Sequence, residues 1–356
     1  MICRYALYSN FRNIEAQRIS FSEGINIIYG NNAQGKTNAI EGIYLCAQGR
    51  SHRTVHEKEY ISFGKSDAFV EIGYEDKRRS NKIKLFFNEK GKKYCEKNGY
   101  SVKRMSEIVG DFRAVIFTPE HLSIVKEGPQ KRRAFLDSAI SQIDKAYLEA
   151  LQRYNKILAQ RNKLLAEGQR GEEISDTLSV WSEKMAEEAS LISYKRSEYT
   201  ERVDKVVKDI FSDMTGGREK ISFVYKKARE KSDFLKMLTE NTDREIRMGT
   251  TLFGVHKDDI DIDLNGADAR SFASQGQQRS ISLAMKLAEG EISKNESGDY
   301  PVFLFDDVLS ELDNKRKEYL LGGLSGKQVI ITTCEEQEKK EGINLIYAEN
   351  GVYRQI

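Results

Sequence analysis

The sequence predicts an α/β fold in two blocks that flank a helical insertion, and three observations predict it. A strand-like run, Ile25–Tyr29, leads straight into Gly30-Asn31-Asn32-Ala33-Gln34-Gly35-Lys36-Thr37 and then into a helix-compatible stretch. A second apolar strand, Val302-Phe303-Leu304-Phe305, ends in the acid pair Asp306-Asp307. Between the blocks, residues 129–213 contain no proline after Pro129 and carry apolar residues at helical spacing.

Residues 1 to about 125 read as strands. Short apolar or alternating runs (Phe69-Val70-Glu71-Ile72, Ile83-Lys84-Leu85-Phe86-Phe87, Val115-Ile116-Phe117) are separated by Gly and Asn turn signals. In the insertion Leu148, Leu151, Leu158 and Leu165 form a stripe, Gly168 and Gly171 interrupt it, and Leu178, Trp181, Met185, Ile192, Tyr199, Val203, Val206 and Ile210 resume it. Two helices of about 40 residues would each reach roughly 60 Å. Asn155 and Asn162 sit where a coiled-coil seam wants apolar side chains, which favours a short helical hairpin. The last third returns to strands (Ile260–Leu264, Val302–Phe305, Gln328–Thr332) around a helix from about Gln277 to Ser293. The expected domains are a head, 1–125 with 255–356, and a helical lobe with a short antiparallel arm, 126–254.

At 356 residues with 39% apolar and 10% aromatic side chains, the chain can bury a sizeable core. Cys3, Cys46, Cys95 and Cys334 stand far apart without a CxxC pair, which argues against a disulfide framework or zinc site and for a reducing compartment. With no apolar leader and no membrane-length apolar run, a cytoplasmic protein without a membrane partner is expected. The net charge of +2 hides a local excess. Residues 77–104 hold eleven Lys or Arg against Glu89 and Glu96, a segment that would attract a polyanion or serve as a solvated hairpin face.

The glycine-rich stretch fits GxxxxGK[ST]. Glycines let the backbone curl so that successive N–H groups point at phosphate oxygens, and the following helix adds its positive end. Gly30, Asn31, Asn32, Ala33, Gln34 and Gly35 would cradle a nucleotide. Lys36 would reach its β- and γ-phosphates, and the Thr37 hydroxyl would ligate Mg²⁺. Asp306, at the carboxyl end of its strand, would hold the same Mg²⁺ partly through water, and Asp307 would orient or deprotonate the attacking water. Lys36, Asp306 and Asp307 are thus the candidate catalytic residues. Ser274-Gln275-Gly276-Gln277 opens a helix, as either an anion-binding start or an ordinary N-cap.

Phosphate loop, then S-x-G-Q, then an acidic strand followed by Ser310-Glu311-Leu312-Asp313, is the order of ABC-type ATPases. The words Asn10-Phe11-Arg12-Asn13, Gly49-Arg50-Ser51-His52-Arg53, Phe117-Thr118-Pro119-Glu120-His121-Leu122, Gly128–Asp137 and Gly254–Asp259 run with these motifs along nearly the whole chain. Together they resemble the RecF family of SMC-like recombination mediators. The resemblance implies a P-loop NTPase head of ABC/SMC type, a mixed sheet flanked by helices, with an inserted helical lobe and short arm. It implies an ATP-dependent homodimer in which Ser274, Gly276 and Gln277 of one copy touch the γ-phosphate bound by the other, with Asp313 in the loop crossing the interface. It further implies DNA as partner, at gaps or single-strand/double-strand junctions, and RecR and RecO as helpers in loading a recombinase, in replication-gap repair and the SOS response. The 77–104 segment, Lys131-Arg132-Arg133 and Arg53 are candidate DNA contacts, Lys131-Arg132-Arg133 equally a solvated helix N-terminus and Arg53 alternatively a nucleotide contact.

Several positions depart from the wider class. Asp307 stands where a glutamate is usual, so a weak, slow, DNA-dependent ATPase is expected. Thr333-Cys334 occupies the place of the switch histidine, leaving His256 and His121 as candidates by type. Glu120 is the candidate for the glutamine-loop role, and Val255 replaces a usual proline. Two rivals remain: a P-loop kinase or GTPase, for which no N-K-x-D word is present, and an architectural DNA-binding protein with little turnover.

Overall fold

A computed structural model describes residues 1–226, 228–338 and 341–356. In chain order the elements are β1 (Ile2–Phe11), β2 (Ile14–Ser20), β3 (Ile25–Tyr29), α1 (Lys36–Gln48), β4 (Asp67–Glu75), β5 (Ser80–Asn88), β6 (Lys93–Lys97), β7 (Tyr100–Val102), β8 (Ala114–Phe117), α2 (Pro129–Ile143), α3 (Lys145–Gln169), α4 (Ser175–Thr215), β9 (Ile221–Tyr225), α5 (Lys231–Glu240), α6 (Thr242–Met248), β10 (Ile260–Leu264), β11 (Ala267–Asp268), α7 (Ala269–Phe272), α8 (Gln275–Ser297), β12 (Val302–Asp306), α9 (Asn314–Gly323), β13 (Val329–Thr333), β14 (Ile343–Glu349) and β15 (Val352–Gln355). They form two compact units, residues 1–123 with 279–356, and residues 124–278.

The first unit contains two sheets. One has the order β15-β14-β3-β13-β12-β8 and is parallel except for β15, the mixed sheet expected of an ABC/SMC head. Its central strands are buried along their length, as a parallel sheet covered on both faces requires. The other, β2-β1-β4-β5-β6-β7, is antiparallel and alternates buried with half-buried or exposed residues. Helix α1 packs against strands of both sheets, which explains why apolar residues lie all around it rather than on one stripe. Ile40, Ile43 and Leu45 are fully buried there, each worth about 1.5–3 kcal/mol.

The second unit is built on α3 and α4 packed side by side, with the sheet β11-β10-β9. Helix α4 has 41 residues, roughly 60 Å. The first expected 40-residue helix is instead two helices. The chain breaks at Asp144, whose carboxylate accepts the Tyr147 N–H as the N-cap of α3. Helix α3 runs through Gly168 and ends at Gln169. Its buried stripe also differs from the leucine heptad: Tyr147, Ala150, Leu151, Tyr154, Ile157, Arg161 and Leu165 face inward, with Leu158 only half-buried. A straight helix turns every 3.6 residues, so a seven-residue repeat drifts off the packed face.

Residues 255–278, expected in the head, group with the second unit, because β10 pairs with β9 over five residues. Among the described residues no helix is long and apolar enough to cross a membrane.

Candidate nucleotide site

The loop between β3 and α1 owes its shape to three residues with positive φ: Gly30 (151°), Ala33 (63°) and Gly35 (105°). At Gly30 a Cβ would sit 2.2 Å from the Ala348 carbonyl oxygen, so only glycine fits. The loop is fastened from outside. Gln34 accepts the Asn350 N–H through its side chain (2.6 Å) and the Gly351 N–H through its backbone (2.9 Å), tying it to the β14–β15 turn.

Parallel register assembles the rest. Asp306 on β12 lies opposite Thr332 on β13, and Thr332 lies opposite Ile28 on β3. The Thr37 and Thr332 hydroxyls each donate to Asp306 Oδ1 at 2.8 Å. Burial raises the pKa of Asp306 above the ordinary aspartate value despite those two donors. The next residue, Asp307, has φ 53°, an uncommon conformation for a residue with a Cβ, and its N–H donates to the Thr332 hydroxyl (3.0 Å). Lys36 is buried. Its ammonium donates to the carbonyls of Gly30 and Asn31, both at 2.7 Å, and reaches the Cys334 sulfur at 3.5 Å. Cys334 in turn donates to Asn32 and lies 3.9 Å from both Asp307 carboxylate oxygens. Asn32, Lys36, Thr37, Asp307 and Thr332 line a cleft of about 340 Å³ that also takes in Asn13, Asn38 and Arg53.

One wall of the cleft rests on a charge cluster whose centre, Glu41, no sequence motif announces. Glu41, on the first turns of α1, is fully buried. It accepts from Arg12 (2.8 and 3.0 Å), Arg53 (2.9 Å) and the Ser51 hydroxyl (2.6 Å). Burial alone would raise the Glu41 pKa, but Arg12, Ser51 and Arg53 outweigh it and hold the carboxyl below the usual range. Arg53 also donates to Asn38, so its guanidinium is held at the cleft wall.

A hydroxyl and a carboxylate 2.8 Å apart, Thr37 and Asp306, are a hard-oxygen pair suited to Mg²⁺. Among the described residues no group of three or more His, Cys, Asp or Glu could hold a metal.

The other expected residues fall as follows. Ser274 and Gln277 form a reciprocal cap at the start of α8: the Ser274 N–H donates to the Gln277 side chain (2.7 Å), and the Gln277 N–H to the Ser274 hydroxyl (3.3 Å). Gly276 lies half-buried in the same first turn. Asp313 is the N-cap of α9, accepting the Arg316 N–H. His121 is engaged by Thr118, while Glu120 is exposed in the short 3₁₀ turn between β8 and α2. In the second unit His256 is bound to Tyr154 and Thr251. Arg132 corrects an expectation. It is buried and spent on Asp259 and on the carbonyls of Ile124, Val125 and Glu127, and Arg133 donates to the Asp258 carbonyl. Arg132 therefore has no guanidinium to offer a duplex, while Arg133 is only half-buried. In the 77–104 segment Lys77, Lys93 and Lys97 pair with Asp299, Glu57 and Asp111.

The profile of the RecF/RecN/SMC N terminal domain matches residues 4–352. A DNA replication and repair protein RecF from Acetivibrio thermocellus is 41% identical over 348 residues, covering 95% of this chain and 94% of the relative. One from Clostridium acetobutylicum is 41% identical over 353 residues, covering 96% of each. A solved structure described as the recombination mediator protein RecF with ATP in the RecFOR pathway superposes with a TM-score of 0.93. It is 35% identical and covers 99% of this chain and 97% of the other. The Smc head domain from Pyrococcus furiosus, 16% identical with a TM-score of 0.58, shares the fold.

Proposed function

The chain belongs to the RecF family of DNA replication and repair proteins, and from that premise we propose that it is an ATP-gated DNA-binding mediator with slow ATPase activity. The observation that carries this reading is one cleft, shaped by a glycine-bearing phosphate loop, that is lined by Lys36, Thr37 and Asp307, with Asp306 bonded to the Thr37 hydroxyl.

In this reading Gly30, Asn31, Asn32, Ala33, Gln34 and Gly35 wrap the phosphates with backbone N–H groups. The Lys36 ammonium exchanges its two carbonyl partners for the β- and γ-phosphates. Thr37 and Asp306 hold Mg²⁺, which when bound neutralises charge on the phosphate oxygens. Asp307 orients the attacking water. Its side chain is one methylene shorter than a glutamate, and its neighbour is a thiol rather than an imidazole, so turnover is slow. Arg53, fixed by Glu41, adds positive charge at the cleft wall.

The missing half of the site comes from a second copy, whose exposed Ser274 and half-buried Gly276 and Gln277 bring a hydroxyl and a helix start to the γ-phosphate, with Asp313 near the interface. Binding of ATP therefore drives homodimerisation, and hydrolysis resets it. On gapped or junction DNA the dimer works with RecR and RecO to load the recombinase, in the cytoplasm, during replication-gap repair and the SOS response.

The test is ATP-dependent association by light scattering, together with affinity for gapped duplex. The wild type shifts from monomer to dimer and binds DNA more tightly with ATP, and Lys36→Met does neither. A monomer indifferent to ATP overturns the reading. DNA affinity that is equal with and without ATP favours an architectural protein instead.

A further inference from the structure

The antiparallel sheet of the first unit buries one face, lined by Val70, Ile72, Ile83, Leu85 and Phe87, in the core. The opposite face carries aromatic rings in register. Phe69 lies directly across from Phe86, and Phe86 directly across from Tyr94, so three rings cross β4, β5 and β6 in a line. With strands about 4.8 Å apart, the line is roughly 10 Å long. The Phe86 and Tyr94 rings are stacked, with centroids 4.5 Å apart and planes 16° apart, and Tyr94 is 43% exposed. A fourth ring, Tyr5, packs against Gly73, where a Cβ would come within 2.2 Å of it.

Cations are interleaved with these rings. Lys84 stands 4.3 Å from the Phe69 centroid and Arg18 3.9 Å from the Tyr5 centroid. Lys82 is exposed on the same face, and Lys90 and Lys92 are exposed in the β5–β6 turn beyond Phe86. Lys84 is itself flanked across the strands by Glu71 and Glu96. That row sets one ammonium against two carboxylates, so the face is poorly suited to holding a duplex by phosphate charge alone. A membrane or an aliphatic protein surface would gain little from carboxylates set among the rings. Planar rings interleaved with cations suit unpaired bases, whose π-faces stack on aromatics while lysines track the backbone. Bases inside a duplex have no free face to offer.

We propose that this face binds single-stranded DNA, with bases stacking on Tyr94, Phe86 and Phe69 and with Lys82, Lys84, Lys90 and Lys92 meeting the phosphates. The inference rests on the reading of the chain as a DNA-binding protein, and it assigns the unpaired strand to a surface separate from the nucleotide cleft.

The test uses the full chain and a fluorescent 20-nucleotide oligothymidine, with blunt duplex and gapped duplex as controls. Tyr94→Ala weakens binding of the oligothymidine about fivefold or more, leaves the blunt duplex unchanged, and leaves the salt slope unchanged, because no phosphate contact is removed. Lys92→Ala instead lowers the slope by about one. As a variant that keeps the ring, Tyr94→Trp in a Trp181→Phe background retains binding, and its tryptophan fluorescence is quenched by the oligothymidine. Unaltered oligothymidine binding by Tyr94→Ala, an equal loss on blunt duplex, or unquenched tryptophan fluorescence from the Tyr94→Trp variant overturns the proposal. A wild type that binds none of the three DNAs overturns the DNA-binding reading itself.

Discussion

The Thr37 hydroxyl donates to the Asp306 carboxylate at 2.8 Å, joining residues 269 positions apart in the chain. Thr332 donates to the same oxygen from the strand between them. Two distant sequence segments thus converge on an acceptor carried by a third, and the parallel register of β3, β13 and β12 is what brings them there.

Asp306→Asn separates stability from function. The folded-state pKa of Asp306 is raised by burial. Its contribution to stability is therefore fully present below the unfolded pKa and lost as pH rises through the folded one. At pH 7 the buried charge is a cost. The amide removes that cost while its oxygen still accepts from Thr37 and Thr332. Differential scanning calorimetry of the nucleotide-free variant at pH 7 shows a Tm at least about 2 °C higher, while ATP-dependent association is lost.

Removal of the Glu41 carboxylate has two consequences. Glu41→Ala removes two bonds from the Arg12 guanidinium, which is only 15% exposed, and leaves it Glu59 at 3.6 Å, so unfolding in urea shows a loss of about 2 kcal/mol. Arg53 also loses its anchor at the cleft wall, and affinity for ATP measured by calorimetry falls severalfold. Arg53→Ala reproduces the second effect with little of the first, since Arg53 is 40% exposed.

Two of the four histidines make the fold acid-sensitive. Burial lowers the pKa of His52 and of His256 to about 4, and both ring nitrogens of His52 lack a hydrogen-bond partner. The unfolded chain takes up these protons near pH 6.5, the folded chain only near 4. Stability is full above about pH 6.5 and falls as pH drops toward 4. A denaturation series from pH 7.5 to 5 shows this decline, and His52→Asn makes it shallower.

Of the four thiols, Cys334 alone is exposed, while burial pushes Cys3 and Cys95 up to about 12 and Cys46 well above its usual value. N-ethylmaleimide followed by mass spectrometry labels Cys334 first. Because its sulfur touches Asn32 and Lys36 of the phosphate loop, ATP slows that labelling.

Much of the nucleotide cleft was legible because the chemistry dictates local sequence: GxxxxGKT needs its glycines and lysine contiguous, and an apolar strand ending in two acids announces where the acids emerge. Glu41 was not legible, since a glutamate on a helix ordinarily faces water and only the folded chain brings Arg12 and Arg53 onto it. Thr332 read as the end of an apolar strand, and its role depends on register with Asp306. The helical unit was legible as helical, but the leucine heptad misled. Asp144 breaks the first helix by capping, and the packed face is carried by Tyr147, Tyr154 and Arg161 as much as by leucines. Arg132 looked like surface charge because Asp259, its partner, lies far along the chain.

A mixing experiment tests most directly whether each nucleotide site is shared between two copies. Lys36→Met and Ser274→Arg chains carry different fluorophores, and energy transfer is read on addition of ATP. Neither variant pairs with itself. Mixed, they build one site from the intact Lys36 of the second chain and the intact Ser274 of the first, so ATP produces energy transfer and partial recovery of hydrolysis. A mixture that stays as monomeric and inactive as either variant alone would contradict the shared site.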